Sequence, residues 1–358
     1  MEAAVGNADV VAAYGRHVLL RDDQGRPHAA VIRGRRREAV VGDRVVAAPA
    51  SSDQMIIEQI AARRNVVRRS DGFREKSIAA NLDRAFVVVS GAPRFDEALL
   101  LRVLIALGAE GIATGLIVTK SDLAEATAAI MPRLAVHEAL GIPILRVSAG
   151  RGDDGAAGGD ATGDATGDAV GDATGVAASG ASGSASGSAT SEATGDATGV
   201  AASDAAGGAP GDATGLGALS ATLGGGRTLL LGQSGMGKST LVNALIPTAA
   251  QQTASISRAL NSGRHTTTVT RAFELPGGGT LIDSPGFQTF EVDHLSRWQI
   301  DHAMPEFADL LGHCRFNDCE HRGEPGCVVL EAREAGRIDD LRLRLYRELI
   351  DGRRRRRS

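Results

Sequence analysis

Short runs rich in Val, Ile and Leu, separated by Gly and Asp turn sequences, fill the first part of the chain. Runs of this length between turn residues are typical of β-strands. The predicted strands are Val10–Val11, His17–Leu20, Ala29–Arg33, Arg44–Ala47 and Met55–Ala61. About five short strands in so little chain favour a small closed barrel of the OB type, assigned to residues 1–78.

From residue 79 the apolar segments alternate between strand and helix lengths. Strands are predicted at Ala85–Ser90, Gly115–Thr119, Pro143–Val147, Thr228–Leu231 and Thr280–Asp283, and helices at Glu97–Leu107, Leu123–Leu140 and Lys238–Leu245. This alternation indicates an α/β domain with a mostly parallel sheet, assigned to residues 79–292. Residues 293–358 look helical, so the predicted fold class is multi-domain.

A low-complexity segment, residues 151–215, interrupts the α/β pattern. It is almost entirely Gly, Ala, Ser, Thr and Asp, and the sequence GDATG occurs in it repeatedly. Such a segment offers few side chains large enough to offset the entropy of ordering, which predicts a disordered insert. It is also strongly acidic, so the net charge of −4 hides a mildly basic remainder. That remainder is compatible with a nucleic-acid partner.

Composition excludes several classes of protein. No apolar run approaches the roughly 20 residues that cross a bilayer, and no secretory leader is recognisable. Three Cys residues clustered late in the chain suit metal ligation in a reducing compartment better than a disulfide framework. We therefore expect a cytoplasmic protein without membrane contact.

A glycine-rich loop fits the phosphate-binding pattern G-x-x-x-x-G-K-[ST]. An apolar strand enters it and a helix leaves it, as that pattern requires. Its backbone N–H groups and Lys238 would hold phosphates, while the Ser239 hydroxyl would ligate Mg²⁺. The residues predicted to contact the phosphates are Gly232, Gln233, Ser234, Gly235, Met236, Gly237, Lys238, Ser239 and Thr240.

Two further motifs suit the γ-phosphate and the metal. Asp283 begins the sequence Asp-Ser-Pro-Gly at the end of a strand, so its carboxylate can hold Mg²⁺ and the N–H of Gly286 can meet the γ-phosphate. Between the two motifs, His265 precedes three Thr residues in a polar stretch. Thr267, favoured over Thr266, is the candidate to complete the Mg²⁺ shell with Ser239 and Asp283.

The base-reading residues precede the phosphate loop in the chain. Thr119, Lys120, Ser121 and Asp122 follow a predicted strand, and Ser148 and Ala149 end the next one. The Asp122 carboxylate can accept hydrogen bonds from N1–H and N2–H₂ of guanine, which adenine cannot supply. The sequence therefore predicts binding of GTP and GDP.

Motifs in this permuted order, with a basic barrel before and a Cys/His segment after, resemble the RsgA (YjeQ) family of circularly permuted GTPases. The resemblance covers nearly the whole chain outside residues 151–215. It implies hydrolysis of GTP to GDP and phosphate, stimulation by the 30S ribosomal subunit late in its maturation, and contacts with 16S rRNA. Two departures are Thr119, where the motif usually begins with Asn, and the acidic insert.

The residue after Gly286 is Phe287. In Ras-like GTPases a Gln near this position orients the attacking water. A phenyl ring cannot orient water by hydrogen bonding, so we expect slow intrinsic hydrolysis that a partner accelerates. His265 is the candidate catalytic group, with Thr267 beside it. A switch-loop histidine with no chemical role is an equal alternative.

Cys314, Cys319, His321 and Cys327 supply three thiolates and one imidazole within a short segment. Four protein ligands of this kind predict a closed, structural Zn²⁺ site in the helical domain of residues 293–358. Nearby Arg residues and the arginine-rich tail suggest RNA contact. Trp298 and Phe307 are expected in the core rather than as base-stacking platforms.

Two questions remain open at the level of sequence. The arginines that decorate the barrel fit either a solvated face or an RNA-binding face: Arg33, Arg35, Arg36, Arg37, Arg63, Arg64, Arg68 and Arg69. The alternative functions are a permuted GTPase acting on the large subunit and an RNA-binding module that uses GTP as a structural ligand. Nothing in the sequence demands a dimer, and a monomer is expected.

Overall fold

The structure is a computed structural model of the chain that describes residues 6–32, 38–51, 54–71, 74–148, 215–253 and 269–357. One compact unit comprises Met1–Gly152 and Pro210–Ser358. The second unit, Asp153–Ala209, lies outside the described residues, as does nearly all of the predicted insert. Within the described residues, no helix has both the length and the apolar character needed to span a bilayer.

The first five strands form the expected barrel. They are β1 Asn7–Tyr14, β2 His17–Asp22, β3 Pro27–Ile32, β4 Arg44–Pro49 and β5 Met55–Ile60. β1 pairs with both β2 and β4, and the parallel β3–β5 pair closes the ring in the order β1-β2-β3-β5-β4. Alternate side chains of these strands, Val10, Val18, Leu20 and Ile57 among them, form a separate small core. The sequence prediction of a five-stranded barrel is confirmed.

A β-hairpin that the sequence analysis did not predict follows the barrel. It consists of β6 Val66–Asp71 and β7 Arg74–Ala80. Charged side chains interrupt the alternation of apolar and polar residues in this stretch, so its sequence did not indicate strands. The hairpin contacts the following domain through Glu110, whose carboxylate accepts a hydrogen bond from the N–H of Val66 at 3.0 Å.

The α/β layer contains every strand and helix predicted from residue 79 onwards, together with two elements that were missed. Its elements are β8 Arg84–Ser90, α1 Glu97–Ala109, β9 Ala113–Thr119, α2 Ala124–Ala139, β10 Ile144–Arg146, α3 Leu216–Leu223, β11 Arg227–Leu231, α4 Lys238–Leu245, β12 Thr270–Glu274 and β13 Thr280–Asp283. The two missed elements are α3 and β12. β12 was hidden because it follows a polar stretch without periodicity.

The order of the strands explains how loops that are far apart in this chain meet at one edge of the sheet. The order is β10-β9-β8-β11-β13-β12, parallel except for β12. β8 and β11 are far apart in sequence, yet they are hydrogen-bonded neighbours in register, with Leu231 opposite Val87. Because carboxyl ends of parallel strands meet at the same edge, the loops after β9, β10, β11 and β13 converge there.

The barrel and the α/β layer share one sheet. β12 pairs antiparallel with β1, with Ala12 opposite Arg271, so eleven strands are continuous. The last part of the chain holds α5 Arg297–His302, a 3₁₀ turn Pro305–Phe307, α6 Val328–Glu334 and α7 Asp340–Arg357. α5 begins with a capping box formed by Ser296 and Gln299, and both α5 and α7 contact α1.

Candidate nucleotide and metal sites

The phosphate loop has the glycine geometry that its sequence predicts. Gly235 and Gly237 have φ of 83° and 84°, in the left-handed region that favours glycine, and Gly237 is the N-cap of α4. A Cβ at Gly232 would lie 2.5 Å from the carbonyl oxygen of Val88, so only glycine fits against β8. Ser239 and Thr240 are exposed at the start of α4, where helix N–H groups favour an anion.

The Lys238 side chain lies across this loop. It is buried, and its Nζ donates to the carbonyl oxygens of Gly232 at 2.7 Å and Gln233 at 2.9 Å. Burial lowers the pKa of Lys238 to about 8, which the nearby Asp283 partly opposes. A buried ammonium without a full counter-charge is suited to the phosphate groups of a nucleotide.

Asp283 ends β13 beside that lysine. Burial raises the pKa of Asp283 to about 6, against the attraction of Lys238 and Arg271. Its Oδ1 atom is buried and accepts no hydrogen bond from the described residues. A buried carboxylate oxygen left without a donor fits a hard cation such as Mg²⁺.

The segment after Asp283 is hydrogen-bonded to the phosphate loop. Ser234 N–H donates to Phe287 O at 3.3 Å, and Phe287 N–H donates to Gly232 O at 3.4 Å. Gly286 lies so close that a Cβ there would be 2.8 Å from Ser234 Cα. Phe287 itself is buried, with its ring centroid 5.2 Å from that of Phe290. Its side chain is therefore a packing anchor.

The base-reading loop is attached to the phosphate loop by two side chains. The buried Thr119 hydroxyl donates to Met236 O at 2.6 Å. Lys120, with a φ of 55°, donates from Nζ to Ala92 O at 2.6 Å and Gly235 O at 3.1 Å. These contacts bring residues separated by more than a hundred positions into one site.

Asp122 is exposed at the same edge, with a partner from the next loop. The Ser148 hydroxyl donates to Asp122 Oδ1 at 2.9 Å, and the N–H of Ser121 donates to Val147 O at 3.3 Å. One oxygen of the carboxylate is thus oriented by protein while the other is free to accept hydrogen bonds from a base. Ala149 lies outside the described residues.

The four predicted zinc ligands form a compact cluster. The ligand atoms of Cys314, Cys319, His321 and Cys327 all lie within 4.8 Å of one another. Nδ1 of His321 is 3.6, 3.6 and 3.3 Å from the three sulfur atoms in that order, and the sulfur atoms of Cys314 and Cys327 are 4.0 Å apart. Tetrahedral Zn²⁺ would place S···S at about 3.8 Å and S···N at about 3.5 Å. The donor set and spacing fit zinc.

Several predictions fall on residues that the structure does not describe. His265, Thr266 and Thr267 belong to residues 254–268, outside the described ranges. The predicted catalytic pair and the third Mg²⁺ ligand therefore stay predictions. The same holds for the four barrel arginines between residues 33 and 37.

The other four barrel arginines make contacts within the protein. Arg63 forms an ion pair with the buried Asp43 at 2.7 Å, and Arg64 pairs with Asp83 at 2.8 Å. Arg68 pairs with Glu75 at 3.1 Å, and Arg69 donates to the carbonyl oxygen of Thr289 at 3.2 Å. These side chains join the barrel, the hairpin and the α/β layer.

Sequence reasoning missed two residues that support the site. Arg271, on the unrecognised β12, is close enough to Asp283 to lower its pKa against the effect of burial. The Gln233 side chain accepts a hydrogen bond from the N–H of Asp96 at 2.8 Å and so connects the phosphate loop to the start of α1. No pattern in the sequence signals the second contact, because it depends on the β8–β11 pairing.

A phosphate loop and a base-reading loop at one edge of a parallel sheet, with the base-reading residues earlier in the chain, define a circularly permuted P-loop GTPase. The family model described as RsgA GTPase matches residues 60–157 and 208–293. Two relatives share the description "Small ribosomal subunit biogenesis GTPase RsgA". The one from Burkholderia pseudomallei (strain 668) is 40% identical over 343 residues, 95% of this chain and 90% of its own. That from Paraburkholderia phytofirmans is 40% identical over 347 residues, 95% and 91% of the two chains.

Solved structures agree on the fold. YjeQ from Thermotoga maritima superposes with a TM-score of 0.61 at 23% identity, covering 96% of this chain and 98% of its own. YloQ, described as a circularly permuted GTPase, gives 0.60 at 20% identity, covering 99% and 97%. The chain belongs to the RsgA GTPase family, and it is a GTP-hydrolysing enzyme.

Proposed function

We propose that this enzyme hydrolyses GTP to GDP and phosphate during late maturation of the 30S ribosomal subunit, and that the subunit stimulates it through contacts with 16S rRNA. The names of its relatives support a role in biogenesis of the small subunit. On this proposal the protein acts as a monomer in the cytoplasm.

One observation carries the choice of guanine nucleotide. The Asp122 carboxylate is oriented by Ser148 at the sheet edge that also holds the phosphate loop. Its second oxygen can accept hydrogen bonds from N1–H and N2–H₂ of guanine. Adenine has an acceptor at N1 and no amino group at C2, so ATP would leave the carboxylate without donors.

The phosphate end of the nucleotide would lie on the loop from Gly232 to Thr240. Backbone N–H groups and Lys238 would bind the phosphate oxygens, and the N–H of Gly286 would meet the γ-phosphate. Ser239, Asp283 and Thr267 would hold Mg²⁺, which neutralises charge on the β- and γ-oxygens when bound. The hydrogen bond from Ser234 to Phe287 must open for Ser234 N–H to face a phosphate.

The water that attacks the γ-phosphate needs a group to orient it. The Phe287 side chain is buried against Phe290, so it offers neither a donor nor an acceptor there. His265 is the proposed group, brought into place when the ribosomal subunit is bound. His265→Ala should abolish subunit-stimulated turnover while leaving GTP affinity unchanged. Ser262→Ala, in the same stretch of the chain, is the matched control, and intact stimulation in His265→Ala would remove the proposal.

The Cys₃His cluster would hold one structural Zn²⁺. Four protein ligands leave no open coordination position, so the ion has no step in hydrolysis. Its contribution is to the stability of the segment between α5 and α6, which has few large buried side chains of its own.

Turnover with and without purified subunits tests the proposal. GTP hydrolysis should be slow for the protein alone and faster by at least tenfold with 30S subunits, with 50S subunits as the control. Stimulation by 50S subunits in place of 30S would favour a role on the large subunit. Equal rates in all three reactions would contradict regulation by the ribosome and would favour an RNA-binding module that uses GTP as a structural ligand.

A further inference from the structure

A cavity beside the Cys₃His cluster has the features of a binding site for a flat aromatic group. We propose that it binds one unpaired base of a single-stranded RNA segment, with Trp298 and Phe316 as the aromatic part of its lining. This inference rests on the RNA partner of the proposed function and identifies a place where that RNA would be held.

Trp298 contradicts the expectation that it belongs to the core. Its side chain on α5 is 65% exposed, whereas Phe307 is fully buried as expected. The exposed His302 ring stacks on Trp298, with ring centroids 3.9 Å apart and planes inclined by 31°. Nδ1 of His302 is 2.8 Å from the carbonyl oxygen of Trp298, which fixes the imidazole in that position. Two aromatic rings are thereby held at the surface rather than buried.

A second exposed aromatic ring lines the same cavity. The cavity has a volume of about 380 Å³, and its lining includes Trp298, His302, Phe316 and Asn317 together with three of the cluster ligands. Phe316 is 42% exposed, and the Arg315 guanidinium lies 5.5 Å from its ring centroid. Stacking on aromatic rings, supplemented by an adjacent arginine, is how proteins bind unpaired bases.

Electrostatics at the cavity suit a nucleotide. Its one carboxylate among the described residues is Asp301, which Arg297 neutralises through two contacts of 2.7 and 2.8 Å. The Tyr346 hydroxyl also donates to Asp301, at 2.5 Å. Arg315 forms no ion pair with any residue in the described ranges, so its charge is available to a phosphate. The Asn317 amide offers both a donor and an acceptor to the edge of a base.

The surroundings favour RNA over a protein partner. An aromatic anchor for a protein partner is usually surrounded by contacts that exclude water. Here the lining combines the apolar residues Trp298, Phe316 and Leu311 with the polar residues Asp301, His302 and Asn317, and the cavity is open to solvent. Two exposed aromatic rings together with polar side chains in one open cavity suit a base, which has both an aromatic face and a polar edge, better than an apolar side chain.

The only tryptophan in the chain provides a direct reporter. Full-length protein supplied with one equivalent of Zn²⁺ is titrated with single-stranded octaadenylate, and Trp298 emission is followed. Stacking predicts saturable quenching, and a stable RNA duplex of about 20 base pairs of mixed sequence should quench much less. Unchanged emission, or equal quenching by the duplex, would overturn the proposal.

Variants separate stacking from general RNA affinity. Binding of labelled octaadenylate, measured by polarisation, should weaken about tenfold in Trp298→Ala and in Phe316→Ala. Val46→Ala, which trims an exposed apolar side chain on β4 of the barrel, is the control and should bind as the parent does. Zinc content and GTP turnover confirm that each variant is folded. Parent-like affinity in both aromatic variants would overturn the proposal.

The experiments also distinguish two other cases: a protein rather than RNA in the cavity, and failure of the proposed 30S-stimulated function. If Trp298→Ala loses binding to RNA-free small-subunit proteins while its octaadenylate affinity is unchanged, the RNA assignment is wrong. If octaadenylate quenches Trp298 but 30S subunits do not stimulate GTP turnover, the base site stands and the proposed function fails. If stimulation occurs without quenching, the base site alone fails.

Discussion

The hydroxyl of Thr119 donates a 2.6 Å hydrogen bond to the carbonyl oxygen of Met236, and so joins the base-reading loop to the phosphate loop. The motif of this family usually begins with Asn, whose amide is longer than a Thr hydroxyl. Thr119 reaches because it is buried at the end of β9 and also lies 3.3 Å from the carbonyl oxygen of Val89. A residue that looks like a departure in the sequence therefore makes the cross-loop contact itself.

Removing the Thr119 hydroxyl should weaken guanine nucleotide binding. Thr119→Val keeps the shape and leaves the buried Met236 carbonyl without its donor, which costs about 1–3 kcal/mol. Since the contact sets the distance between the two loops, GDP affinity measured by calorimetry should fall roughly tenfold. Thr119→Ser keeps the hydroxyl and should bind GDP within about threefold of the parent. Equal loss in both variants would indicate packing rather than the hydrogen bond.

Adding a methyl group at Gly286 should stop turnover. A Cβ there would lie 2.8 Å from Ser234 Cα and 3.2 Å from Lys238 Nζ, so the segment must move away from the phosphate loop. In the proposed function the N–H of Gly286 meets the γ-phosphate, so its displacement should lower the rate of GTP hydrolysis by about a hundredfold.

Gly217→Ala is the control for that substitution, because a Cβ at Gly217 on α3 meets nothing within 4 Å. It should leave turnover unchanged. Parent-like hydrolysis by Gly286→Ala would show that this close approach has no role in the reaction.

Loss of a cluster ligand should remove the metal. Cys319→Ser replaces one thiolate, and zinc content measured by mass spectrometry should fall from one equivalent to near zero. The melting temperature should fall as well, because ligand binding and folding are coupled in such sites. His17→Ala, which changes an exposed imidazole on the barrel, should retain one equivalent. A zinc-loaded Cys319→Ser protein would contradict the ligand assignment.

The stability of the barrel should depend on the ionisation of Asp22. A hydrogen bond from His28, together with donors from Arg26 and Gln24, holds the pKa of Asp22 well below its usual range despite the opposing effect of burial. Because the pKa of this carboxyl is lower in the folded protein than in the unfolded chain, its ionisation stabilises the fold at any pH above the unfolded-state pKa. This stabilisation is lost as the pH falls toward the folded-state pKa. Asp22→Asn should therefore lower the melting temperature at pH 7, and the difference should shrink below about pH 4.

Asp23→Asn provides the comparison for that measurement, since the Asp23 side chain is mostly exposed and pairs with Arg44 at the surface. Its effect on the melting temperature should be small across the same range of pH. A difference between Asp22→Asn and the parent that does not change with pH would rule out the ionised carboxylate as the cause.

Local patterns were enough to predict most of the fold. The barrel strands and the alternating elements from β8 to β13 have clear apolar runs bounded by turn residues, and the glycines of the phosphate loop have a recognisable spacing. The hairpin β6–β7 was missed because Arg68, Arg69 and Arg74 interrupt its apolar alternation. The pairing of β12 with β1 was also beyond prediction, because register between distant strands leaves no local signal.

Residue roles within the site were predicted less completely. The position of Asp122 could be inferred from its motif, but the hydrogen bond that it accepts from the Ser148 hydroxyl could not. The exposure of Trp298 was predicted wrongly because helical spacing identifies one face of a short helix but cannot show which neighbour covers it. Both depend on tertiary packing.

A change of nucleotide specificity at Asp122 tests the central claim most directly. That claim is that the loop after β9 binds the base, and the loop after β11 the phosphates, of the same nucleotide. Calorimetry of the parent and Asp122→Asn with GTP and XTP, in the presence of Mg²⁺, is the measurement. Xanthine carries a carbonyl where guanine has its amino group, so the Asn amide can donate where the carboxylate could only accept. We predict that the parent prefers GTP and that Asp122→Asn prefers XTP. A variant that still binds GTP as tightly as the parent would contradict the account.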